Sequence, residues 1–382
     1  MTRLRLLFQN PAMAHYRVEF FRRLFLSPGV DLKLVLNRES TLYPGQRPDF
    51  SDYSPVILNT ETNRRWRRDL FRLQMTAEYD CLIASLPLSQ PSLLGFLATR
   101  LRRKPLIYWT EIWWTATGKT TVRVRMKTWI REALYRWLVR RASAIVVEGS
   151  SARDFHLALG IPDGKIFVAN HSSEDLSLTH PTSSKLPGDE PTSQTLLYAS
   201  RLTAWKGADI LIRAFAEVEK ERTDIQLVMV GDGPLRSRCE ALIARLGTKR
   251  IKMVGAVPHR EVGPYFADAD AFVLPNTGDP YPEAWGLVLN EAAGMSLPIL
   301  CTPMAGAVKD LVEHGVNGLI VPPRDPHALA EAILRLFKDP TALKQMGQRS
   351  RERFDAFNSF DKMARGFEDA ALYACRGRRP SS

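Results

Sequence analysis

Between Thr277 and Leu300 the chain reads TGDPYPEAWGLVLNEAAGMSLPIL, which sets two carboxylates, Glu283 and Glu291, with seven residues between them. The apolar run Ala271 to Leu274 reads as a short strand, and Pro275, Asn276, Gly278, Pro280 and Pro282 after it read as turn. A helix is expected to begin near Trp285 or Gly286, to turn Leu287, Leu289, Ala292 and Ala293 to a core, and to stop near Gly294. Glu283 then lies on the loop and Glu291 inside the helix. At a rise of ~1.5 Å per residue they stand roughly 10 Å apart. That is too far for two carboxyls to share a proton and suits a grip on two parts of one extended ligand. The loop and helix N-terminus also offer unpaired N–H groups and a positive dipole end to a phosphate. The competing reading is a pair of glutamates on a solvated helix face.

Three further segments bear on that choice. The strand Leu196 to Ala199 leads into Ser200-Arg201-Leu202-Thr203-Ala204-Trp205-Lys206-Gly207, a strand-to-helix loop with the cations Arg201 and Lys206 where a diphosphate needs them. The strand Gln226 to Val230 runs into Gly231-Asp232-Gly233-Pro234, a tight turn at which Gly231 allows close approach of a ligand. Ala305-Gly306-Ala307 follows another strand, then Asn317-Gly318. Any one of these is ordinary turn chemistry; their order argues for a site. No Asp-x-Asp metal motif sits in a suitable loop, and Cys81, Cys239, Cys301 and Cys375 show no metal-ligand spacing, so no metal is expected and a reducing compartment is.

The elements that must hold these residues alternate strand and helix in both halves of the chain. Expected strands are Arg3 to Phe8, Asp31 to Leu36, Asp80 to Ala84, Pro105 to Trp109 and Ala144 to Glu148, then Leu196 to Ala199, Gln226 to Val230, Ile251 to Val254, Ala271 to Leu274 and Ile299 to Leu300. Between them, Gln9 to His15 reads as loop and Tyr16 to Leu26 as helix, with further helices at Ala208 to Lys220 and Leu235 to Leu246. A helix from Val122 to Arg141 aligns Val122, Met126, Trp129, Ile130, Ala133, Leu134, Trp137 and Leu138 in one stripe, read as core with an edge available to a membrane. A Ser/Thr/Pro/Gly-rich stretch from Ser177 to Ser193 reads as a linker. The domains implied are 1–185 and 190–357, with a last helix, 358–376, returning to the first. The uncharged stretch from Cys81 to Thr99 approaches bilayer-spanning length, but Pro87 and Pro91 divide it into strand, loop and helix. The opening MTRLRLLFQNPAM does not read as a signal peptide.

At this point the sequence resembles the family 4 glycosyltransferases, retaining enzymes of the GT-B fold. The pieces that carry the likeness are ASRLTAWKGADILIRAF, VMVGDGP, PEAWGLVLNEAAGMSLPIL and VEHGVNGLIVPP, within residues 195–325. RLLFQNPAMAHYRVEFFRRL and IVVEGSSARDFHLALGIPDGKIFVANH resemble the family more loosely. The resemblance implies an α/β fold of two Rossmann-like, doubly wound domains facing across a cleft. It implies that Arg201 and Lys206 hold the diphosphate of a nucleotide-sugar donor, and that Glu283 contacts the donor sugar. Backbone N–H groups near Trp285, Gly286 and Leu287 then lie beside sugar or phosphate, and Glu291 takes the ribose hydroxyls. Many members carry a histidine after the fourth strand of the first domain; here that stretch reads IYWTEIWW, which makes Glu111 an acceptor or catalytic candidate beside Tyr16 and Arg17. His15 and His171 are positional residues on the same reading.

The charge of the chain is lopsided. Of 382 residues carrying a net +12, residues 1–188 hold 28 Lys/Arg against 16 Asp/Glu, whereas 189–382 hold 25 of each. A basic first half with interleaved Trp suits an anionic membrane surface, a glycan or lipid-linked acceptor, or nucleic acid. The last leaves the neutral half, where the motifs lie, without a purpose, and no recognition-helix or zinc pattern supports it. The expected activity is transfer of a sugar from a nucleotide sugar in cell-surface polysaccharide or glycolipid synthesis. The expected place is the cytoplasm, peripherally at the inner face of the membrane. An epimerase or phosphorylase of the same fold is the nearest alternative.

Overall fold

The short apolar runs form the strands of two all-parallel sheets, whose unbroken hydrophobicity reflects burial on both faces. The computed structural model describes residues 3–38, 54–58, 63–113, 122–180 and 193–376. The chain divides into two compact units, Met1–Ser172 with Ser359–Ser382, and Ser173–Asn358. The stretch expected as linker lies partly in residues 181–192, outside the described residues; before it, Leu176–Leu178 forms a short turn with Leu176 buried in the core of the second unit. Asp175 is gripped there by both terminal nitrogens of Arg351, at 3.0 and 2.7 Å.

The sheet of the first unit holds β1 (Leu4–Ala12), β2 (Val30–Arg38), β3 (Val56–Ile57), β4 (Cys81–Ser85), β5 (Leu106–Thr110), β6 (Ala144–Val147) and β7 (Ile166–Val168), in the order β3-β2-β1-β4-β5-β6-β7. The second sheet holds β8 (Gln194–Ala199), β9 (Ile225–Val230), β10 (Ile251–Gly255), β11 (Ala271–Leu274), β12 (Ile299–Cys301) and β13 (Gly318–Ile320), in the order β10-β9-β8-β11-β12-β13. Both are doubly wound. The winding reverses between β1 and β4 in one sheet and between β8 and β11 in the other, so loops leaving those strand ends diverge and leave a notch for ligands. In the first unit the last helix, Phe360–Cys375, packs on the sheet and on the helix Val18–Leu26. Its Phe367 meets the rings of Phe8, Phe20 and Trp109 at 5.4, 4.9 and 5.2 Å between centroids.

Several elements depart from the sequence-based expectation. β1 runs on to Ala12, through the segment read as loop, because Gln9, Asn10 and Ala12 pair in register with Val35, Leu36 and Arg38. The helix expected from Tyr16 starts at Val18, after a single 3-10 turn at His15–Arg17. The helix of the glutamate segment spans Val288–Gly294 rather than starting at Trp285 or Gly286. Gly286, at φ +95°, breaks the helical path there. β3, β7 and β13 were absent from the expected set; each has only two or three residues, too few for periodicity to register.

The largest correction concerns the helix Val122–Arg141. Met126, Trp129, Ile130, Ala133, Leu134 and Trp137, expected in the core, are exposed; Leu138 alone of the described stripe is buried as expected, joined by Tyr135 and Val139, and the Val122 side chain lies outside the described residues. The helix is apolar on two opposite sides, and a buried polar chain chooses between them. The Tyr135 hydroxyl lies 2.7 Å from Thr110 Oγ1 and 2.6 Å from His156 Nε2, and His156 Nδ1 lies 2.7 Å from the Ala152 carbonyl oxygen. Turning the other face inward would strand these groups without partners.

The β8 and β11 loops meet at Gly207, whose φ is +68° and whose missing Cβ would stand 2.0 Å from the Pro275 carbonyl oxygen. Gly247 ends the helix Arg236–Leu246 at nearly the same φ, +69°, with nothing within 4 Å of its Cβ position. Gly247→Ala should therefore cost about 1 kcal/mol, the left-handed strain alone. Gly207→Ala should cost at least about twice that, because backbone must also move. Thermal unfolding of the two variants checks the difference; equal losses would remove the packing role given to Gly207.

Candidate active site

In the second unit the carboxyl ends of β8, β11 and β12 converge on one carboxylate. Lys206 ends the short turn Ala204–Lys206 after β8, and its side chain is only 8% exposed. Its ammonium donates to Glu283 Oε1, while Asn276 Nδ2, just past β11, donates to Oε2 at 2.5 Å. Asn276 is itself fixed, its carbonyl accepting from Thr302 Oγ1 at 2.6 Å at the end of β12. The backbone of Glu283 bridges to Ala305: its N–H donates to the Met304 carbonyl at 2.8 Å, and its carbonyl accepts from Gly306 N–H at 3.1 Å. Every rotatable part of Glu283 is thus held before a ligand arrives.

Arg201 stands differently. Its guanidinium is exposed, 5.7 Å from the centroid of the Trp205 ring, and among the described residues no carboxylate pairs with it. Two cations therefore flank the notch, one committed to Glu283 and one open to an anion. The loops that carry them are tied together, since Thr277 N–H donates to the Trp205 carbonyl at 2.8 Å. Gly231, expected to let a ligand approach, has φ +131° and uses its missing Cβ against the Ser200 carbonyl oxygen, 2.0 Å from where that Cβ would be. It shapes the Arg201 loop from behind.

The Trp285 side chain is core, its indole N–H donating to Asn290 Oδ1 at 2.8 Å. Gly286 and Leu287 then lead into the helix, with Leu287 at its cap position. Glu291, one turn in, lies on a different footing from Glu283. Burial first, and the Glu174 carboxylate second, push its pKa up to about 8. His259 Nδ1 stands 3.8 Å from its Oε1, and burial lowers the pKa of that imidazole in turn. Asn276, His259 and Glu174 were not singled out in the sequence. The usable signal for Asn276 is its position two residues past a strand; Glu174 and His259 are distant in sequence and gave none.

The first unit gathers its own charged group at the same edge of its sheet. Arg17, after β1, pairs with Glu111, after β5, and its guanidinium lies 4.4 Å from the centroid of the Trp109 ring. Burial opposes the charge of Arg17, but Glu111, Tyr16 and Glu148 outweigh it and hold the pKa above its ordinary value. Burial and the neighbouring Glu148 raise the pKa of Glu111. Glu148, after β6, is fully buried; burial works against its charge, yet His171 at 3.5 Å and Arg17 bring its pKa below the ordinary range. Tyr16 completes the group, its ring 5.2 Å from those of His15 and His171. The expected residues Tyr16, Arg17 and Glu111 are thus brought together, and Glu148, read only as the end of a strand, is added to them.

Residues 182–353 match the family described as Glycosyl transferases group 1. Among curated relatives, an alpha-D-kanosaminyltransferase of Streptomyces kanamyceticus is 33% identical over 154 residues, 40% of this chain and 39% of that protein. A GDP-mannose-dependent monoacylated alpha-(1-6)-phosphatidylinositol monomannoside mannosyltransferase of Corynebacterium glutamicum is 31% identical over 221 residues, 56% of this chain and 55% of that protein. The matches span from 17% to 62% of the lengths of the first curated relatives. Among solved structures, Anabaena Alr3699/HepE in complex with UDP and glucose superposes with a TM-score of 0.69 at 17% identity, covering 96% of this chain and 98% of that one. The fold is accordingly GT-B, and within it residues 182–353, most of the second unit, are similar to the group 1 glycosyl transferases.

Proposed function

We propose that the chain is a retaining, metal-independent glycosyltransferase. It moves a sugar from a nucleoside diphosphate sugar to a glycan or lipid-linked acceptor in cell-surface polysaccharide or glycolipid synthesis, working peripherally at the cytoplasmic face of a membrane. The observation that carries this reading is the enclosed Lys206–Glu283 pair at the β8/β11 notch, with the open Arg201 beside it. In this reading the donor diphosphate binds Arg201 and Lys206, whose fixed charges compensate the departing phosphate without a metal. The bond from the anomeric carbon to the diphosphate oxygen breaks, and the acceptor oxygen bonds to that carbon on the same face. The departing phosphate oxygen takes the acceptor's proton. Glu283, freed in part from Lys206, stabilises the positive charge that develops on the sugar and forms no bond to it.

Glu291 accepts the ribose hydroxyls, and Tyr16, Arg17 and Glu111 of the first unit serve acceptor recognition. The names of the relatives support the direction of the chemistry: both are glycosyltransferases, one of them acting from GDP-mannose on a glycolipid, and the HepE crystals hold UDP.

The purified chain should bind or turn over at least one member of a panel of UDP-, GDP- and ADP-sugars, with turnover unaffected by a chelator. Lys206→Ala and Glu283→Ala should each lower turnover by ~100-fold or more, with circular dichroism unchanged; full activity in either sinks the assignment. Product formed without an acceptor, or only with inorganic phosphate, would point instead to an epimerase or a phosphorylase.

A separate expectation concerns pH. Hydroxyl groups donating to Glu291 favour its ionised form, whereas in the unliganded protein it takes up a proton below about 8. Donor binding must therefore release that proton, and affinity should rise with pH up to about 8 and level off above it. The slope below that point should approach a factor of roughly ten per pH unit. Calorimetric donor titrations from mildly acid to mildly alkaline pH test this. Glu291→Gln should weaken binding while leaving turnover at saturating donor largely intact, and should flatten the profile; a slope that survives the substitution assigns the proton elsewhere.

A further inference from the structure

We propose that the first unit docks on an anionic lipid bilayer through the outer face of the helix Val122–Arg141, joined by the end of the neighbouring helix Gln90–Leu101. The proposal rests on, and deepens, the reading of the chain as an enzyme acting at a membrane face. Met126, Trp129, Ile130, Leu134 and Trp137 form one exposed stripe opposite the buried Tyr135, Leu138 and Val139, and Trp129 is 69% exposed. At about 100° per residue, Lys127 and Arg136 flank this stripe on opposite sides, and Arg140 and Arg141 fall within its span at the C-terminal end. Glu132, the only acidic residue of the helix, falls toward the inward side.

The stripe continues onto the next helix. Phe96 meets Trp137 at 5.3 Å between ring centroids, and Leu97 and Leu101 beyond it are exposed. Cations border the join as well: the Arg141 guanidinium lies 4.2 Å from the centroid of the Trp137 ring, and that of Arg100 lies 5.1 Å from Phe96. An apolar strip with indoles in it and cations on both edges is the pattern of a helix lying in the headgroup layer, with side chains below and charges among the phosphates. Among the described residues no helix is long and apolar enough to cross a membrane, which fits contact in the plane of the surface.

The cations decide between occupants. A second copy of this chain would bring the same positive edges against these, and like charges in such a contact repel. An anionic bilayer supplies an apolar layer beneath a sheet of phosphates and answers both features at once.

The full chain should be mixed with vesicles of phosphatidylcholine alone and of phosphatidylcholine with phosphatidylglycerol, and bound protein measured by sedimentation. We expect at least tenfold tighter binding to the anionic vesicles. The double variant Trp129→Ser/Trp137→Ser should lose at least tenfold of that affinity, and Trp129→Phe/Trp137→Phe should regain most of it. The shift in Tm on adding nucleotide sugar is read on the same samples. Vesicle binding that is absent, indifferent to lipid charge or unchanged in the serine variant, with the shift retained, overturns the docking face and leaves the proposed activity standing. Loss of the shift with vesicle binding intact does the reverse. A dimer in solution that the serine variant abolishes would assign the face to a second copy and overturn the proposal.

Discussion

An ammonium group as enclosed as that of Lys206 has to be paired, and the geometry around the second sheet's notch follows from how it is paired. Taking such a charge out of water costs several kcal/mol, offset only by a partner held at contact distance with its own polar atoms satisfied. Glu283 meets that condition because Asn276 occupies its second oxygen and the Met304–Gly306 backbone fixes its main chain. The pair thereby ties the ends of β8, β11 and β12 into one rigid floor.

The two glutamates of the segment illustrate how burial alone does not set the behaviour of a carboxyl. Glu283 has a cation and an amide for company, whereas Glu291 has a weakly basic imidazole and a second carboxylate, Glu174. The first is held by two donors, whereas burial and that second carboxylate push the pKa of the other up to about 8. A similar contrast divides the first unit, where His171 and Arg17 hold Glu148 ionised while Glu111, beside that charge, is pushed the other way. Acid and base characters are separated in each sheet by neighbours a few residues past the strand ends.

Much of this was legible in the chain because the strands that build the notches are buried on both faces and read as unbroken apolar runs. β8 and β11 were placed within two residues of their ends, and Arg201, Lys206 and Glu283 follow from what comes directly after them. What could not be read was whatever depends on partners far apart in sequence. The buried state of Lys206 needs Glu283, and the raised pKa of Glu291 comes from its burial in the folded unit, with Glu174 adding to it. The inward face of the helix Val122–Arg141 is decided by Thr110 and His156, which lie outside it. Periodicity counts apolar positions on a helix; it has no access to a hydrogen bond that selects between two apolar sides.

The return of the last helix to the first sheet has a consequence for how the molecule is made. Residues Ser173–Asn358 form one uninterrupted stretch of chain, so everything that unit needs has been synthesised by the time Asn358 is added. The first sheet, although its strands are translated earlier, lacks Met363, Phe367 and Ala370 of its core until the helix Phe360–Cys375 leaves the ribosome. Domains ordinarily fold in the order of their synthesis. Here the half translated second has its whole sequence before the half translated first has received its last helix.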